Sequence, residues 1–282
     1  MTFLKIAAMA KLRTYLCRTL LIIISEGFNA AAFAQAPGGF GFMPPCPSRA
    51  TTADLINYEI ANPGTDGCDI PVNVYRARIY EMGLCTSMPW SGNSFDRSSC
   101  VTTFRSPEGS VVDIAQMSDQ PLPDNFSSRP SNGTYGYVYI IQNSAVSISA
   151  QYQAATVTYY TTGPSRDSSG NSLYNLNTVG PAVEFVDPIV DCDDTETGTF
   201  EGGLMYSYYT DSDLNECAGN DSVVTRRVVF ARTAEPIVVT AETRSIEISY
   251  GMSKSGVLLF EADGVIDGID ANSIMLRVSS SR

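Results

Sequence analysis

The stretch YGYVYII, residues 135–141, decides which fold the sequence predicts. Its residues alternate, with Tyr135, Tyr137 and Tyr139 on one side of an extended chain and Val138 and Ile140 on the other. A period of two is typical of a β-strand, because successive side chains of a strand lie on opposite faces of the sheet. Tyrosine, valine and isoleucine also favour strands. The stretch therefore predicts a strand with an aromatic face and an aliphatic face.

The same pattern continues along the chain on both sides of this stretch. Runs such as VNVYRARIY (residues 72–80), VVTRRVVFA (223–231) and RSIEISYG (244–251) are short and separated by Gly, Asn, Asp, Ser or Pro. Many short strands without helical periodicity are typical of antiparallel sheets. We therefore expect an all-β region over residues 49–282, with an antiparallel β-sandwich or jelly-roll-like architecture. Prolines and small polar residues at 118–134 mark either a linker between two units or a long surface loop.

One segment ahead of these runs predicts a helix. In TTADLINYEIAN, residues 51–62, Thr52 can cap a first turn, and Leu55 and Ile56 follow at helical spacing. Pro63 then ends the segment. We therefore expect one short N-terminal helix before the strands.

The first 34 residues have the pattern of an export signal peptide. Basic residues flank a short apolar run, TLLIIIS (residues 19–25), and Ala32-Phe33-Ala34 forms a small-residue cleavage site. The run is too short to span a bilayer. We therefore expect removal of residues 1–34, a Gly/Pro-rich leader at 35–48, and no transmembrane segment in the mature protein. The predicted location is extracellular, on the cell surface or periplasmic.

The charge balance excludes some partners. The chain has a formal net charge of −12, and loss of the signal with its four basic residues and one acid would make it −15. Such a charge repels phosphate backbones and anionic membrane surfaces. We therefore expect no nucleic-acid partner, and we expect an attraction to cations.

The cysteines predict a disulfide framework. Cys17 would leave with the signal, and six cysteines remain in the mature chain. An even number of cysteines in an exported protein, without C-x-x-C spacing, favours disulfides over metal thiolates. We expect bonds between sequential neighbours, because each pair brackets a loop rich in turn residues. These pairs are Cys46 with Cys68, Cys85 with Cys100, and Cys192 with Cys217.

The sequence contains no histidine. This excludes Ser-His-Asp and Cys-His catalysis and His-ligated metals. We therefore predict that the protein is not an enzyme. Glycoside hydrolysis needs only two carboxylates, so a carboxylate-dependent glycoside hydrolase stays open as an alternative.

An acidic segment points to a cation site. Residues 187–221 hold ten acids and no Lys or Arg. A Cys192–Cys217 bond would gather several carboxylates, and oxygen ligands on irregular loops suit calcium. We therefore predict calcium as the candidate cofactor, and the alternative is a solvated acidic surface. The predicted ligands are Asp191, Asp193, Asp194, Asp213 and Glu216.

The tyrosines of the opening stretch form the second candidate site. If exposed, Tyr135, Tyr137 and Tyr139 would make a flat platform that stacks on sugar rings or suits a protein interface. The alternative is that this face packs under another part of the fold. We expect an exported, acidic, disulfide-bonded protein with a structural, adhesive or surface-assembly role, through self-assembly or a surface glycan. A carbohydrate-binding module is the other alternative.

Overall fold

The computed structural model describes the strands of the chain and part of its loops. The described residues are 2–8, 46, 67–70, 72–115, 128–154, 156–166, 172–187, 192, 196–200, 203–252, 257–262, 265–271 and 275–281. The predicted helix at 51–62 and the signal cleavage site lie outside them. So do the leader, apart from Cys46, and most of the 118–134 segment.

Strands dominate the described residues. In chain order they are β1 (Thr2–Ala8), β2 (Gly67–Ile70), β3 (Val72–Cys85), β4 (Trp90–Ser91), β5 (Ser94–Phe95), β6 (Cys100–Asp113), β7 (Gly133–Asn143), β8 (Val146–Ala154), β9 (Val157–Arg166), β10 (Ser172–Asn177), β11 (Phe185–Asp187), β12 (Glu196–Phe200), β13 (Gly203–Thr210), β14 (Arg226–Val239), β15 (Ser245–Met252), β16 (Val257–Ala262), β17 (Val265–Ala271) and β18 (Met275–Ser281). The helical structure in the described part of the chain is one 3-10 turn, Asp221–Val223.

One large antiparallel sheet organises the fold. Its order is β10-β9-β8-β3-β7-β14-β13-β12, with β6 also paired to β3 and β11 to β8. Two three-stranded sheets, β17-β16-β2 and β1-β15-β18, and the small β4-β5 hairpin complete the described structure. All strand pairs in the described residues are antiparallel, so the predicted antiparallel β structure is confirmed for this part of the chain.

The central strands are buried on both faces. In β7, Val138 and Ile140 belong to the larger hydrophobic core, whereas Tyr139 and Ile141 belong to a second cluster. Neighbours in a strand lie on opposite faces, so apolar material covers the sheet on both sides here. The second cluster is aromatic and includes Phe95 from the β4-β5 hairpin.

All three predicted disulfides are present. Their sulfur atoms join Cys46 to Cys68, Cys85 to Cys100, and Cys192 to Cys217. Three disulfides indicate an oxidising environment of the extracellular type. Among the described residues, no helix has the length and apolar character needed to cross a bilayer.

Candidate functional site

The loop between Cys85 and Cys100 builds one side of the candidate site. These two cysteines lie opposite each other on β3 and β6, with their Cα atoms 4.0 Å apart. Between them the chain makes the β4-β5 hairpin, and Gly92 takes the left-handed φ of 58° that a tight hairpin turn requires. The hairpin places the Trp90 ring 3.9 Å from the Tyr208 ring, stacked at 13°. The disulfide and this stacking hold the loop against the sheet.

A buried carboxylate lies beneath this loop. Glu81 of β3 is 4% exposed, yet both of its oxygens have donors. Tyr139 donates to Oε1 at 2.7 Å and Thr102 donates to the same oxygen at 3.0 Å. Arg97 forks across both oxygens at 3.3 and 3.2 Å, and Arg105 donates to Oε2 at 3.0 Å. A buried charge is tolerated when it is paired and hydrogen-bonded in this way.

The network keeps Glu81 ionised. Burial alone would raise its pKa, but hydrogen bonds from Arg97 and Tyr139 and the charges of Arg97 and Arg105 hold the pKa below its ordinary value. Burial, and then the charge of Glu81, raises the pKa of Tyr139 well above the usual range. Tyr139 therefore stays protonated and remains a donor to the carboxylate.

This network forms one wall of a cavity of about 190 Å³. We call it the Glu81–arginine pocket. Its lining residues are Tyr80, Glu81, Arg97, Arg105, Ser106, Pro107, Ile141, Ser212, Leu214 and Arg226. The Arg226 guanidinium lies 3.8 Å from the centre of the Tyr80 ring, so a cation–π contact fixes the third arginine. Three arginines and one glutamate leave a surplus of two positive charges in the lining.

The pocket offers positive charge to a ligand. The side chains of Arg97 and Arg105 are 46% and 58% exposed, so Glu81 engages only part of each guanidinium. A guanidinium carries five N–H donors in a planar fork that matches a carboxylate. Because Glu81 and the sheet already hold these groups, a ligand would not have to order them. The arrangement is suited to binding an anion.

The predicted tyrosine platform does not form as expected. Tyr135 is 2% exposed, belongs to the larger core, and donates its hydroxyl proton to the carbonyl of Ser131. Tyr139 is buried in the second cluster, and Tyr137 is half-buried against that cluster. Tyr135 and Tyr139 are therefore buried, as in the alternative in which this face packs under another part of the fold. The reason is that apolar groups cover both faces of β7, and the β7–β14 register shifts between the partners of Tyr135 and Tyr137.

The predicted calcium ligands are only partly described. Asp191, Asp193 and Asp194 lie outside the described residues. Asp213 lies in a turn, where its N–H donates to Asp211 Oδ1 at 2.9 Å, and Glu216 forms an isolated antiparallel bridge with Thr210. The described part of the chain brings no three acidic or cysteine side chains together for a metal. Calcium binding stays a prediction.

A buried arginine lies close to the Cys192–Cys217 bond. Arg227 is 2% exposed, and its Nε donates to the Ser207 hydroxyl at 2.7 Å. Its guanidinium lies 5.3 Å from the centre of the Tyr209 ring, and Tyr209 packs with the Cys192–Cys217 bond. The fold therefore buries the positive charge of Arg227 next to the acidic segment, and composition alone did not reveal this feature.

Comparison of the chain with family models, curated proteins and solved structures finds no match.

Proposed function

We propose that this protein acts outside the cytoplasm as a structural, adhesive or surface-assembly component with a β-sandwich architecture. It engages an anionic group of its partner in the Glu81–arginine pocket. The observation that carries the proposal is the positive surplus of this pocket in a chain whose net charge is −12. In such a chain, a cluster of three arginines is a specific local exception to the overall repulsion of anions.

The rigidity of the pocket supports a binding role. Arg97 belongs to a loop closed by a disulfide, and Arg105 lies directly opposite Glu81 on the neighbouring strand. Arg226 is the first residue of β14, which is paired on both edges. Charged groups held on strands and a stapled loop lose little freedom when a ligand binds.

Binding fits the pocket better than hydrolysis does. A glycoside hydrolase needs two carboxyl groups about 5 to 10 Å apart, with one acting as an acid. The lining of the pocket supplies one carboxylate, Glu81, and its lowered pKa makes it a poor proton donor. This supports a binding protein, and a carbohydrate-binding module remains the second candidate for the same pocket.

Fractionation of the producing cells tests the proposal. We expect the wild-type protein in the surface or assembled fraction, and the triple variant Glu81→Gln/Arg97→Gln/Arg105→Gln largely in the medium with its fold intact by circular dichroism. The triple variant includes Glu81→Gln so that no buried charge is left unpaired. Arg244→Gln removes an exposed arginine outside the pocket and serves as the control. Unchanged surface retention of the triple variant would overturn the role of the pocket.

A further inference from the structure

We infer that the ligand of the Glu81–arginine pocket is an acidic sugar residue, a hexuronate that carries a carboxylate on a pyranose ring. This inference rests on the proposed function and names the ligand class of the same pocket. A uronate could belong to a surface glycan or to a secreted acidic polysaccharide, and both present the same chemistry to the protein.

The size of the pocket limits the ligand. Its volume of about 190 Å³ lies below the roughly 300 to 1,000 Å³ of pockets that enclose drug-sized molecules. One six-membered ring with its substituents suits such a space. A longer glycan would place its other units on the surface outside the pocket.

The lining combines its charged and polar side chains with three apolar ones. Ile141 and Leu214 belong to the second hydrophobic cluster, and Pro107 adds a further apolar surface. Sulfate or phosphate has no apolar face with which to contact these groups. A pyranose ring has C–H faces that pack on apolar side chains and hydroxyls that bond to polar ones. The pocket supplies hydroxyls for this purpose at Ser106 and Ser212.

The arginines select for the carboxylate of the sugar. A planar guanidinium fork accepts a planar carboxylate with two parallel hydrogen bonds, a geometry that adds both energy and specificity. A neutral sugar would leave the positive surplus of the pocket uncompensated. The arginines of the pocket therefore distinguish a uronate from glucose, and its apolar and hydroxyl groups distinguish a uronate from acetate.

Titration calorimetry on the full secreted protein, with its disulfides intact, tests the inference. The probes are glucuronate and galacturonate, and the comparison ligands are glucose, galactose, acetate and sulfate. We expect at least one uronate to bind at least tenfold more tightly than every comparison ligand. Equal affinity for acetate, sulfate or the neutral sugars would overturn the inference.

Three variants assign the binding to the pocket. Arg105→Gln should weaken uronate binding about tenfold or more, because one charged hydrogen bond is lost, and Arg105→Lys should weaken it less. Leu214→Ala should weaken uronate binding without changing acetate binding. Ser106→Ala provides the same comparison with a smaller change to the packing, in case Leu214→Ala does not fold. Arg244→Gln should bind as the wild type does, and unchanged binding by Arg105→Gln would contradict the assignment.

The inference and the proposed function fail in different ways. If surface retention depends on Arg97 and Arg105 but no uronate binds, the ligand class is wrong and the proposed function stands. If uronates bind in the pocket but surface retention does not depend on Arg97 and Arg105, the ligand class stands and the proposed function is wrong.

Discussion

The region around the Cys85–Cys100 loop and the Cys192–Cys217 region differ in the sign and pairing of their charges. In the first, two arginines surround one buried glutamate and leave a positive surplus in the pocket. In the second, the segment 187–221 holds ten acids and no basic residue, and the buried Arg227 lies nearby on β14. In the first region the fold pairs opposite charges, whereas the acidic segment contains no basic residue of its own.

The two regions also touch. The Phe95 N–H donates to the Leu214 carbonyl at 3.1 Å, and the Glu216 N–H donates to the Asn93 carbonyl at 2.7 Å. Ser212 and Leu214, from the acidic side, line the arginine pocket. The pocket therefore lies where the Cys85–Cys100 loop meets the acidic loop.

Removing either of these disulfides should have the largest effect. Restriction of the unfolded chain predicts a loss of about 3.5 kcal/mol for Cys192→Ala/Cys217→Ala and about 3 kcal/mol for Cys85→Ala/Cys100→Ala, since the separations are 25 and 15 residues. Urea unfolding measures both losses. Cys85→Ala/Cys100→Ala should also abolish ligand binding in the pocket, and unchanged binding by this variant would show that the pocket does not need its stapled loop.

Arg227→Met should cost about 3 kcal/mol of unfolding free energy. The variant keeps much of the side-chain volume but removes a buried charge-assisted hydrogen bond to Ser207. Arg232→Met, an exposed position on the same strand, is the matched control, with an expected change within about 0.5 kcal/mol. Similar losses in the two variants would show that burial of the Arg227 charge does not matter.

Glu81→Gln should cost about 2 kcal/mol, because hydrogen bonds to a buried charged group are weakened together. The pKa of Glu81 is lower in the folded state, so its ionisation stabilises the fold fully above the ordinary value of 4.5. This contribution is lost as the pH falls through the lowered folded pKa. The difference in stability between wild type and Glu81→Gln should therefore shrink in acid, as urea unfolding between pH 7 and pH 3 measures.

The control for this variant is Glu108→Gln, an exposed glutamate on β6 whose substitution should change stability by less than about 0.5 kcal/mol. A difference between wild type and Glu81→Gln that does not change with pH would show that the charge of Glu81 is not the stabilising element.

The sequence predicts the strands and disulfides but not the pocket, and the register of β3 and β6 shows why. A Cys85–Cys100 pair in a regular antiparallel ladder would place Glu81 opposite Phe104. A register shift between Met82 and Gly83 places Arg105 there instead. Such bulges leave no reliable signal in a single sequence. The alternation of residues 135–141 likewise predicted a strand, but it left open whether the aromatic face is exposed or covered.

Covering of that face depends on partners that lie far away in sequence. Phe95 contacts Tyr139 with ring centres 4.9 Å apart, and Phe230 of β14 belongs to the same cluster. A period of two residues reports that a strand has two faces, but it does not report what packs on each face. The disulfide pairs were predictable because each joins neighbours along the chain.

The smallest expected effect is the response of the acidic region to calcium. If the predicted ligands Asp191, Asp193, Asp194, Asp213 and Glu216 bind calcium with a dissociation constant on the order of 1 mM, then 10 mM calcium stabilises the fold by about 1.4 kcal/mol. For a chain of this size, that is a rise in melting temperature of about 3 to 6 °C. Sodium at matched ionic strength is the control, because screening also relieves repulsion at a net charge of −12. Asp193→Asn/Asp194→Asn should abolish the calcium-specific part of the rise. Equal shifts in calcium and sodium would mean that the acidic region is a solvated surface that binds no specific ion. The two regions would then differ in that only the arginine pocket binds a ligand.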